Sequence, residues 1–240
     1  GQKNIFFTNN DTAYESAISL NNKGIKVEAI VDIRENPNSE FTKEAENLGI
    51  KIYKNHTIVD THGYKKLNKI SIMELSKDGQ SFANSNIITL DCDCLGMAGG
   101  WTPAVHLFTQ SGGKLKFRDE DQVFIPNKYP SDQISVGSCN GDFELDEIIN
   151  NTSKSLKEFF SIDQTDFDNL DVQCPKDKEI RNIWLLPSNK VLGKTKPFVD
   201  YQNDATAKDI KLALREGFKS IEHVKRYTTT GMGTDQGKLG

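Results

Sequence analysis

The C-terminal stretch, residues 199–240, places the tightest limits on how this 240-residue chain can fold. Two short helical patterns lie between the segments VDYQND and GMGTDQGKLG. Thr206 precedes the first pattern and Asp209 lies three residues after Thr206, a spacing that predicts a capping box. Gly217 is placed to end the first helix, and Ser220 is placed to cap the second. The stretch therefore predicts a small helical unit with a turn at each end.

The two ends of this stretch resemble those of an iron–sulfur domain of the bacterioferritin-associated-ferredoxin type, which occurs in amine-oxidising flavoenzymes. That family opens with Val-Cys-x-Cys-Glu-Asp-x-Thr and closes with Gly-Met-Gly-x-Cys-Gln-Gly-x-x-Cys, and its four thiolates hold a two-iron two-sulfur cluster. In this sequence the four ligand positions are Asp200, Gln202, Asp235 and Gly240. Because such clusters need thiolate ligands, the resemblance implies the scaffold without an iron–sulfur cluster. An unrelated helix pair with a glycine-rich tail would account for the capping pattern but not for the matching ends.

Segments spread over most of the chain resemble the alpha subunits of heterotetrameric sarcosine oxidases. They are FTNNDTAYESA near the start, GGWTPAVHLF in the middle and HVKRYTTTGMGTDQGK at the end. Subunits of that family are much longer, with a ferredoxin-like segment and a nucleotide-binding fold at the start and a folate-binding domain at the end. The resemblance therefore predicts that this chain is an interior fragment of such a subunit.

Charge and hydropathy exclude two classes of partner. The formal net charge of −4 gives no electrostatic basis for binding nucleic acid or an anionic membrane. No apolar run approaches the length of a membrane span, and no signal peptide opens the chain. We therefore expect no nucleic-acid partner, no membrane partner and a cytoplasmic location.

The four cysteines, at positions 92, 94, 139 and 174, predict buried structural thiols in a reducing compartment. Cys92 and Cys94 are two residues apart on a predicted strand, so their side chains should face the same side. Such a pair could supply half of a metal site, but the other two cysteines form no second pair.

The N-terminal residues follow the order of a dinucleotide-binding layer. Asn4 to Thr8 and Lys26 to Ile33 are predicted strands on either side of a helix from Thr12 to Lys23. Asp32, at the end of the second strand, is placed where an acid can bind a ribose, although a surface acid needs no ligand and we favour that interpretation. The turn Thr8-Asn9-Asn10-Asp11-Thr12-Ala13 has no glycine, so its side chains should block a pyrophosphate. The layer is predicted to be Rossmann-like with a degenerate site.

The following residues predict a helix, three strands and a crossing between domains. The helix is Phe41 to Leu48 and the first strand is Lys51 to Tyr53. Lys69 to Leu75 and Ser85 to Leu95 are predicted to form an antiparallel pair. In two-dinucleotide flavoproteins a glycine–proline turn carries the chain from an inserted second nucleotide domain back to the first. Gly99 to Pro103 resembles that turn, and a tight turn covered by Trp101 is compatible with the same residues.

The segment from Ile134 to Leu145 carries the predicted nucleotide site. Ile134 to Val136 is a predicted strand, and Gly137-Ser138 stands where flavoproteins of this class have a Gly-Asp pair that favours FAD. The resemblance implies that sarcosine oxidase alpha subunits hold NAD here instead. The residues predicted to bind NAD are Gly137, Ser138, Gly141, Phe143 and Leu145. A plain strand, turn and helix without a ligand is the alternative.

The last helix carries polar and cationic side chains suited to a flavin phosphate or a partner subunit. The residues predicted to form this FMN and subunit interface are Lys225, Arg226, Thr228, Thr229 and Thr230. A solvated helix face is an equal alternative for Lys225 and Arg226. No histidine has metal-ligand spacing, and no motif nominates a nucleophile or a general base. We therefore predict no catalytic residue and no metal site in this chain.

The predicted fold class is α/β, with Rossmann-like nucleotide-binding layers of the two-dinucleotide flavoprotein type and a small, mainly helical C-terminal domain. Residues 1–90 are predicted to be the inserted second Rossmann-like domain, and 91–150 the returning part of the first, NAD-binding domain. Residues 151–175 are predicted to be a helix with an acidic connector. Residues 176–240 are predicted to be the domain that resembles an iron–sulfur domain without its cysteines.

The resemblance implies a part in oxidising sarcosine to glycine, a one-carbon unit and hydrogen peroxide. The enzyme would carry FAD mainly on its beta subunit, FMN at the alpha–beta interface and NAD in the alpha subunit, with gamma and delta subunits as further partners. This chain would contribute NAD binding and an interface. The alternative is a non-catalytic scaffold subunit of a related amine dehydrogenase complex. The glycine-free first turn argues against a third possibility, an NADH-dependent reductase.

Overall fold

A computed structural model describes residues 3–130, 132–174, 179–190, 192, 194–235 and 237 of the chain. The chain divides into two compact units. Unit 1 comprises Gly1–Lys77 and Phe82–Asn182, and unit 2 comprises Asp78–Ser81 and Ile183–Gly240. None of the described helices combines the length and the apolar composition that a membrane span requires.

The strands are β1 (Asn4–Thr8), β2 (Val27–Asp32), β3 (Lys51–Lys54), β4 (His56–Gly63), β5 (Leu67–Glu74), β6 (Ile88–Asp91), β7 (Cys94–Ala98), β8 (Lys114–Arg118), β9 (Val123–Lys128), β10 (Phe198–Asp200) and β11 (Ala205–Thr206). The helices are α1 (Thr12–Asn22), α2 (Glu40–Asn47), α3 (His106–Gln110), α4 (Leu145–Phe160), α5 (Ala207–Arg215) and α6 (Ile221–Thr228), with 3₁₀ turns at Gly137–Asn140 and Asp166–Asn169. The strands predicted at the N-terminus and the helices predicted around them are confirmed to within one or two residues.

A parallel sheet with the strand order β3-β2-β1-β7 lies at the centre of unit 1. Its strands consist mostly of apolar residues because both faces of the sheet are covered. On one face, Tyr14, Ala17 and Ile18 of α1 pack with Ile30 of β2. On the other face, the core includes side chains of β1, β2 and β5. The predicted α/β class with a Rossmann-like layer is confirmed.

The second face of the parallel sheet is covered by an antiparallel sheet with the order β4-β5-β6. The predicted antiparallel pairing of the two strands β5 and β6 is confirmed. The strand β4 was not predicted, because HTIVDTHG is too polar to show a clear alternation. It forms because its central residues pair with β5, which is buried from Ile70 to Met73.

The prediction that Cys92 and Cys94 lie on one strand and face the same side is wrong. Cys92 is buried between β6 and β7, whereas Cys94 is exposed at the start of β7. The two strands belong to different sheets, so the chain changes direction between them. The prediction of buried thiols holds for Cys92, while Cys139 and Cys174 are half-buried.

Strand β7 pairs with β1 from Cys94 to Ala98, so this strand belongs to the parallel sheet although the predicted domain limit lies at residue 90. The four predicted domains otherwise stay a prediction. The strand predicted at Ile134–Val136 does not form. This segment has no ladder partner in the described part of the chain, and Gly137, with φ of 68°, turns the backbone into a 3₁₀ turn.

Unit 2 contains the hairpin β10–β11 followed by α5 and α6. The capping box predicted at the start of α5 is confirmed, since Asp209 Oδ2 accepts hydrogen bonds from the backbone amide and the hydroxyl of Thr206 at 2.8 and 2.6 Å. Ser220 lies at the N-cap of α6, as predicted, but its side chain makes no capping hydrogen bond. The two helices expected from the sequence are therefore both present.

Candidate functional sites

The carboxyl end of the parallel sheet, where a Rossmann-like layer binds its nucleotide, is filled by protein side chains. Asp32 is 0 % exposed. One carboxylate oxygen accepts a hydrogen bond from the Tyr14 hydroxyl at 2.9 Å and another from Arg34 Nη2 at 2.7 Å. Arg34 Nη2 also donates to Asp11 Oδ1 at 2.6 Å. The interpretation of Asp32 as a surface acid is therefore wrong, because its hydrogen-bonding capacity is used inside the protein.

The buried groups of this cluster shift one another's pKa values. Burial raises the pKa of the Tyr14 hydroxyl, and the charge of Asp32 raises it further. Burial opposes the positive charge of Arg34, but its hydrogen bonds to Asp32 and Asp11 outweigh that cost and raise its pKa. Arg34 thus stays charged against two carboxylates, and Tyr14 stays a neutral hydrogen-bond donor.

Side chains in the turn between β1 and α1 bond to polar groups of the same turn. Asn10 Oδ1 accepts hydrogen bonds from the Thr12 amide at 3.0 Å and from the Thr12 hydroxyl at 2.6 Å. The Thr8 hydroxyl donates to the Asn10 carbonyl at 2.8 Å. An amide at the start of α1 that would face a phosphate in a dinucleotide-binding turn is therefore occupied.

A cavity of about 640 Å³ lies in unit 1, beside the β1–α1 turn at this end of the sheet. Its walls come from the β1–α1 turn, Gly100 and Trp101, the β8–β9 hairpin, the segment from Gly141 into α4, and Glu179 with Ile180. Of the residues predicted to bind NAD, Gly141 and Phe143 line this cavity. Gly137, Ser138 and Leu145 are near them in sequence but do not line it. Gly137 is buried, whereas Ser138 and Leu145 are exposed.

Gly141 is fixed tightly in the cavity wall. Its φ of 90° is one that side chains rarely adopt, and an added Cβ would lie 2.8 Å from Ile125 Cγ2 and 3.0 Å from Arg118 Nη2. Arg118 Nη2 donates to the Gly141 carbonyl at 2.8 Å. The same guanidinium pairs with Asp121, whose hydrogen bond raises the pKa of Arg118. The β8–β9 hairpin therefore holds this turn in place.

Asp142 is a lining residue that the sequence analysis missed. It is 8 % exposed, and its Oδ1 accepts a hydrogen bond from Asn151 Nδ2 at 2.9 Å. Its Oδ2 accepts none from the described residues. The signal was present in the sequence, since Gly141-Asp142 is itself a Gly-Asp pair just before a helix. A ribose hydroxyl is a donor that would satisfy such an oxygen.

The charge of the cavity wall does not fit a pyrophosphate. Among the described residues, Arg118 is the cationic side chain in the lining. The carboxylates in the lining are Asp11, Glu120, Asp121, Asp142, Glu144, Asp146, Glu147 and Glu179. Phosphates near so many carboxylates would be repelled unless cations or helix amides outside these residues faced them. The described walls thus fit a ribose and a ring better than the phosphates of NAD.

In unit 2, the first of the four positions at which the resembling iron–sulfur domains have a cysteine holds a buried hydrogen-bond acceptor. Asp200 is 1 % exposed. Its carboxylate accepts hydrogen bonds from the backbone amides of Gly231 at 2.7 Å and Gln202 at 2.8 Å, and a longer one from the Asn203 amide at 3.3 Å. These bonds, that from Gly231 above all, lower the pKa of the Asp200 carboxyl.

The second and third ligand positions also meet through hydrogen bonds. Gln202 Oε1 accepts from the Thr234 hydroxyl at 3.1 Å and from the Asp235 amide at 3.3 Å. A Cβ added to Gly233 would lie 2.3 Å from the same oxygen. The fourth position, Gly240, lies outside the described residues. The described residues hold no group of three metal-binding side chains. These residues do not fit an iron–sulfur cluster.

The predicted interface residues lie at the end of α6 and just after it. Lys225, Arg226 and Thr229 are exposed. Thr228 is buried and its hydroxyl donates to the Val224 carbonyl at 2.8 Å. Thr230 shares a 2.8 Å hydrogen bond with the Thr228 hydroxyl. The two cations and Thr229 are thus available to a partner, whereas Thr228 stabilises the helix end.

The whole length of the chain is similar to known proteins. Residues 194–240 match the family described as the sarcosine oxidase A3 domain. The chain is 32 % identical over 251 residues to the sarcosine oxidase subunit alpha of Rhizobium meliloti (strain 1021), covering 100 % of this chain and 23 % of that protein. It is 29 % identical over 252 residues to the sarcosine oxidase subunit alpha of Corynebacterium sp. (strain P-1), covering 99 % and 25 %. The chain therefore spans about a quarter of the length of these relatives.

Solved structures share the fold. The L-proline dehydrogenase from P. horikoshii has a TM-score of 0.54 at 19 % identity, covering 99 % of this chain and 42 % of that chain. The thioredoxin reductase from T. acidophilum has a TM-score of 0.53 at 14 % identity, covering 67 % and 52 %. At these identities the likeness concerns the fold alone.

Proposed function

We propose that this chain, which is homologous over its whole length to part of the alpha subunits of sarcosine oxidases, is a segment of such a subunit in a heterotetrameric enzyme. The substrate would be sarcosine or another N-methyl amino acid, which is oxidised to the demethylated amino acid, a one-carbon unit and hydrogen peroxide. The observation that carries the proposal is the match over the entire chain, from the parallel sheet of unit 1 to α6. In this proposal the oxidation takes place on flavins, FAD mainly in the beta subunit and FMN at the alpha–beta interface, and no side chain of this segment is catalytic.

The proposed contribution of unit 1 is one wall of an NAD site. Gly141 and Phe143 line the cavity of about 640 Å³ and Asp142 offers a buried carboxylate oxygen, features that suit a ribose and a planar ring. Gly137, Ser138 and Leu145 flank this wall. The carboxylates of the lining disfavour the pyrophosphate, so amides or cations in another part of the longer subunit would have to hold it.

The proposed contribution of unit 2 is an interface. The exposed side chains of Lys225, Arg226 and Thr229 would face FMN phosphate or a partner subunit, with Thr228 and Thr230 shaping the end of α6. The partners would be the beta, gamma and delta subunits. All four cysteines are free thiols, which agrees with a cytoplasmic location.

One observation favours a second candidate, a non-catalytic scaffold subunit of a related amine dehydrogenase complex. The carboxyl end of the parallel sheet is closed by the cluster of Asp32, Arg34 and Asp11, and the cavity in unit 1 is strongly acidic. A fold kept only for subunit binding would have these properties. Mass spectrometry of the small molecules released from the full-length subunit distinguishes the two candidates, because only the first predicts stoichiometric NAD.

The NAD proposal predicts a difference between this chain and the full-length subunit. A dinucleotide held by one wall still loses its translational and conformational freedom, a cost of several kcal/mol. Calorimetry on the chain alone should therefore show no saturable NAD binding below about millimolar. The full-length subunit should retain NAD, and Phe143→Ala should weaken that retention about tenfold or more through lost ring contacts.

Further variants of the full-length subunit test where the wall lies. Ser138→Asp adds a negative charge beside the wall and should weaken retention of the anionic NAD, whereas the uncharged Ser138→Asn should weaken it less. Leu107→Ala is the matched apolar control, since Leu107 is 86 % exposed and does not line the cavity. Micromolar NAD binding by the chain alone, or equal effects of Phe143→Ala and Leu107→Ala, would contradict this placement of the site.

A further inference from the structure

Residues 179–182, named the strap here, cross the carboxyl end of the parallel sheet. The guanidinium of Arg181 donates four hydrogen bonds to oxygen atoms of unit 1. Nη1 donates to the Ile33 carbonyl and to Asn55 Oδ1, both at 2.6 Å. Nη2 donates to the carbonyls of Ser76 at 3.0 Å and Lys77 at 2.9 Å. One side chain thereby joins the residues that follow β2, β3 and β5.

The strap is also held through its backbone. Arg34 Nη1 donates to the Glu179 carbonyl at 3.0 Å. Asn9 Nδ2, in the turn after β1, donates a long hydrogen bond to the Arg181 carbonyl at 3.4 Å. The residues that follow β1, β2 and β3 therefore all contact the strap. In an open parallel α/β sheet, ligands bind outside these carboxyl ends.

We infer that the strap is an internal ligand of this Rossmann-like layer, and that Arg181 anchors it in a guanidinium site made of neutral oxygen atoms. The site has three backbone carbonyls and one amide oxygen, all of them acceptors. A planar guanidinium with donors directed to both sides can satisfy these acceptors together, whereas an ammonium group cannot. The ends of β2 and β3 thus take an arginine-bearing peptide as their ligand, and the cavity beside the β1–α1 turn is a separate place for the proposed NAD.

The position of the strap has a consequence for the cavity in unit 1. Glu179 and Ile180 line that cavity, whereas Arg181 points its guanidinium to Ile33 and Asn55. The strap therefore contacts the residues that follow β1, β2 and β3, and it also forms part of the cavity wall. A nucleotide bound against Ile33 and Asn55 would have to displace the guanidinium of Arg181.

Chemical rescue tests the guanidinium site. Arg181→Ala should make the backbone amides of Asn55 and Leu75 exchange hydrogen about fivefold faster or more. The Asn55 amide donates to the Arg34 carbonyl and the Leu75 amide to the Asn55 carbonyl, and both bonds lie beside the lost contacts. Methylguanidinium at low millimolar concentration should slow that exchange again, and methylammonium at the same concentration should not. In the wild-type chain neither compound should change it.

Two further variants are the controls for this exchange experiment. Arg215→Ala removes an arginine that is exposed on α5, so it should leave the exchange of Asn55 and Leu75 unchanged. Arg181→Lys keeps the stem and the charge, so it should fold if Arg181→Ala does not, and it should still lose protection at these amides. The inference is overturned if neither Arg181 variant changes the exchange of Asn55 and Leu75, or if methylammonium rescues Arg181→Ala as well as methylguanidinium does.

Discussion

Asp200 is a buried carboxylate that links two turns of unit 2 through hydrogen bonds. Its carboxylate joins the turn after β10 to Gly231, the first glycine of the Gly-Met-Gly segment. A carboxylate that accepts several amide hydrogen bonds is stabilised in its charged form. Asp200 therefore joins the turn after β10 to the Gly-Met-Gly segment through charge-assisted hydrogen bonds.

The lowered pKa of Asp200 predicts an acid-sensitive unit 2. In the unfolded chain the carboxyl titrates near its ordinary value of about 3.9, and in the folded protein it titrates lower. Its stabilising effect is complete above the unfolded value and is lost as the pH falls below about 4 towards the folded pKa. Asp200→Asn should lower the thermal midpoint of unit 2 by several degrees at pH 7 and flatten its dependence on pH below about 5.

Asp204 offers the control for this variant, because it is an exposed aspartate in the same turn. Asp204→Asn should leave the pH dependence of unfolding close to that of the wild type. The measurement is the circular dichroism melting curve between pH 3 and 7 for the three proteins. If Asp200→Asn and the wild type lose stability in parallel on acidification, Asp200 does not supply the titrating contact.

At the scale of elements, the two helices of unit 2 differ in how they begin. Thr206 and Asp209 form a reciprocal capping box at the start of α5, whereas the side chain of Ser220 makes no capping bond at the start of α6. An N-cap side chain that accepts a helix amide is worth about 1 kcal/mol. Helices of this length are marginal alone, so such a contribution matters.

Thr206→Ala should therefore lower the free energy of unfolding of unit 2 by about 1 kcal/mol. Ser220→Ala changes the same kind of position without removing a capping bond, and it should cost only a few tenths of a kcal/mol. Urea titration followed by helix circular dichroism measures both values. Equal losses in the two variants would show that the capping box of α5 contributes nothing special.

Elements with strong periodicity were predicted well, and those that depend on a partner were not. The strand β1 was predicted with the bounds Asn4–Thr8 that the structure has. The strand β4 was missed and a strand at Ile134–Val136 was predicted wrongly. A strand needs a neighbour for its backbone hydrogen bonds. The partner β5 makes β4 a strand, and the absence of a ladder partner in the described part of the chain leaves 134–136 irregular.

For the molecule as a whole, the residues at the four ligand positions predict that the protein carries no iron. Purified anaerobically, the full-length subunit should contain no labile sulfide from this domain and no iron bound to it. Iron and sulfide assays together with a visible absorption spectrum test this prediction. A variant with cysteine at positions 200, 202, 235 and 240 is the positive control. Stoichiometric iron and sulfide in a version of the subunit that ends before its other domains would contradict the prediction.

The sequence by itself determined the α/β class, the order of strand, helix and strand at the N-terminus, the helix pair of unit 2 and the absence of cysteine at positions 200, 202, 235 and 240. These follow from local periodicity, from capping residues and from the identity of single side chains. It also pointed to Gly141 and Phe143, which do line the cavity of unit 1.

Only the tertiary structure decided what occupies the sites. The sequence predicted that Asp32 is a surface acid, whereas in the folded protein Arg34 and Tyr14 donate hydrogen bonds to its carboxylate. The strap contacts residues more than a hundred positions away, as Arg181 does with Ile33 and Asn55. A hydrogen bond between distant residues leaves no periodic trace in a sequence, because its geometry exists only after the elements that carry its two atoms have packed.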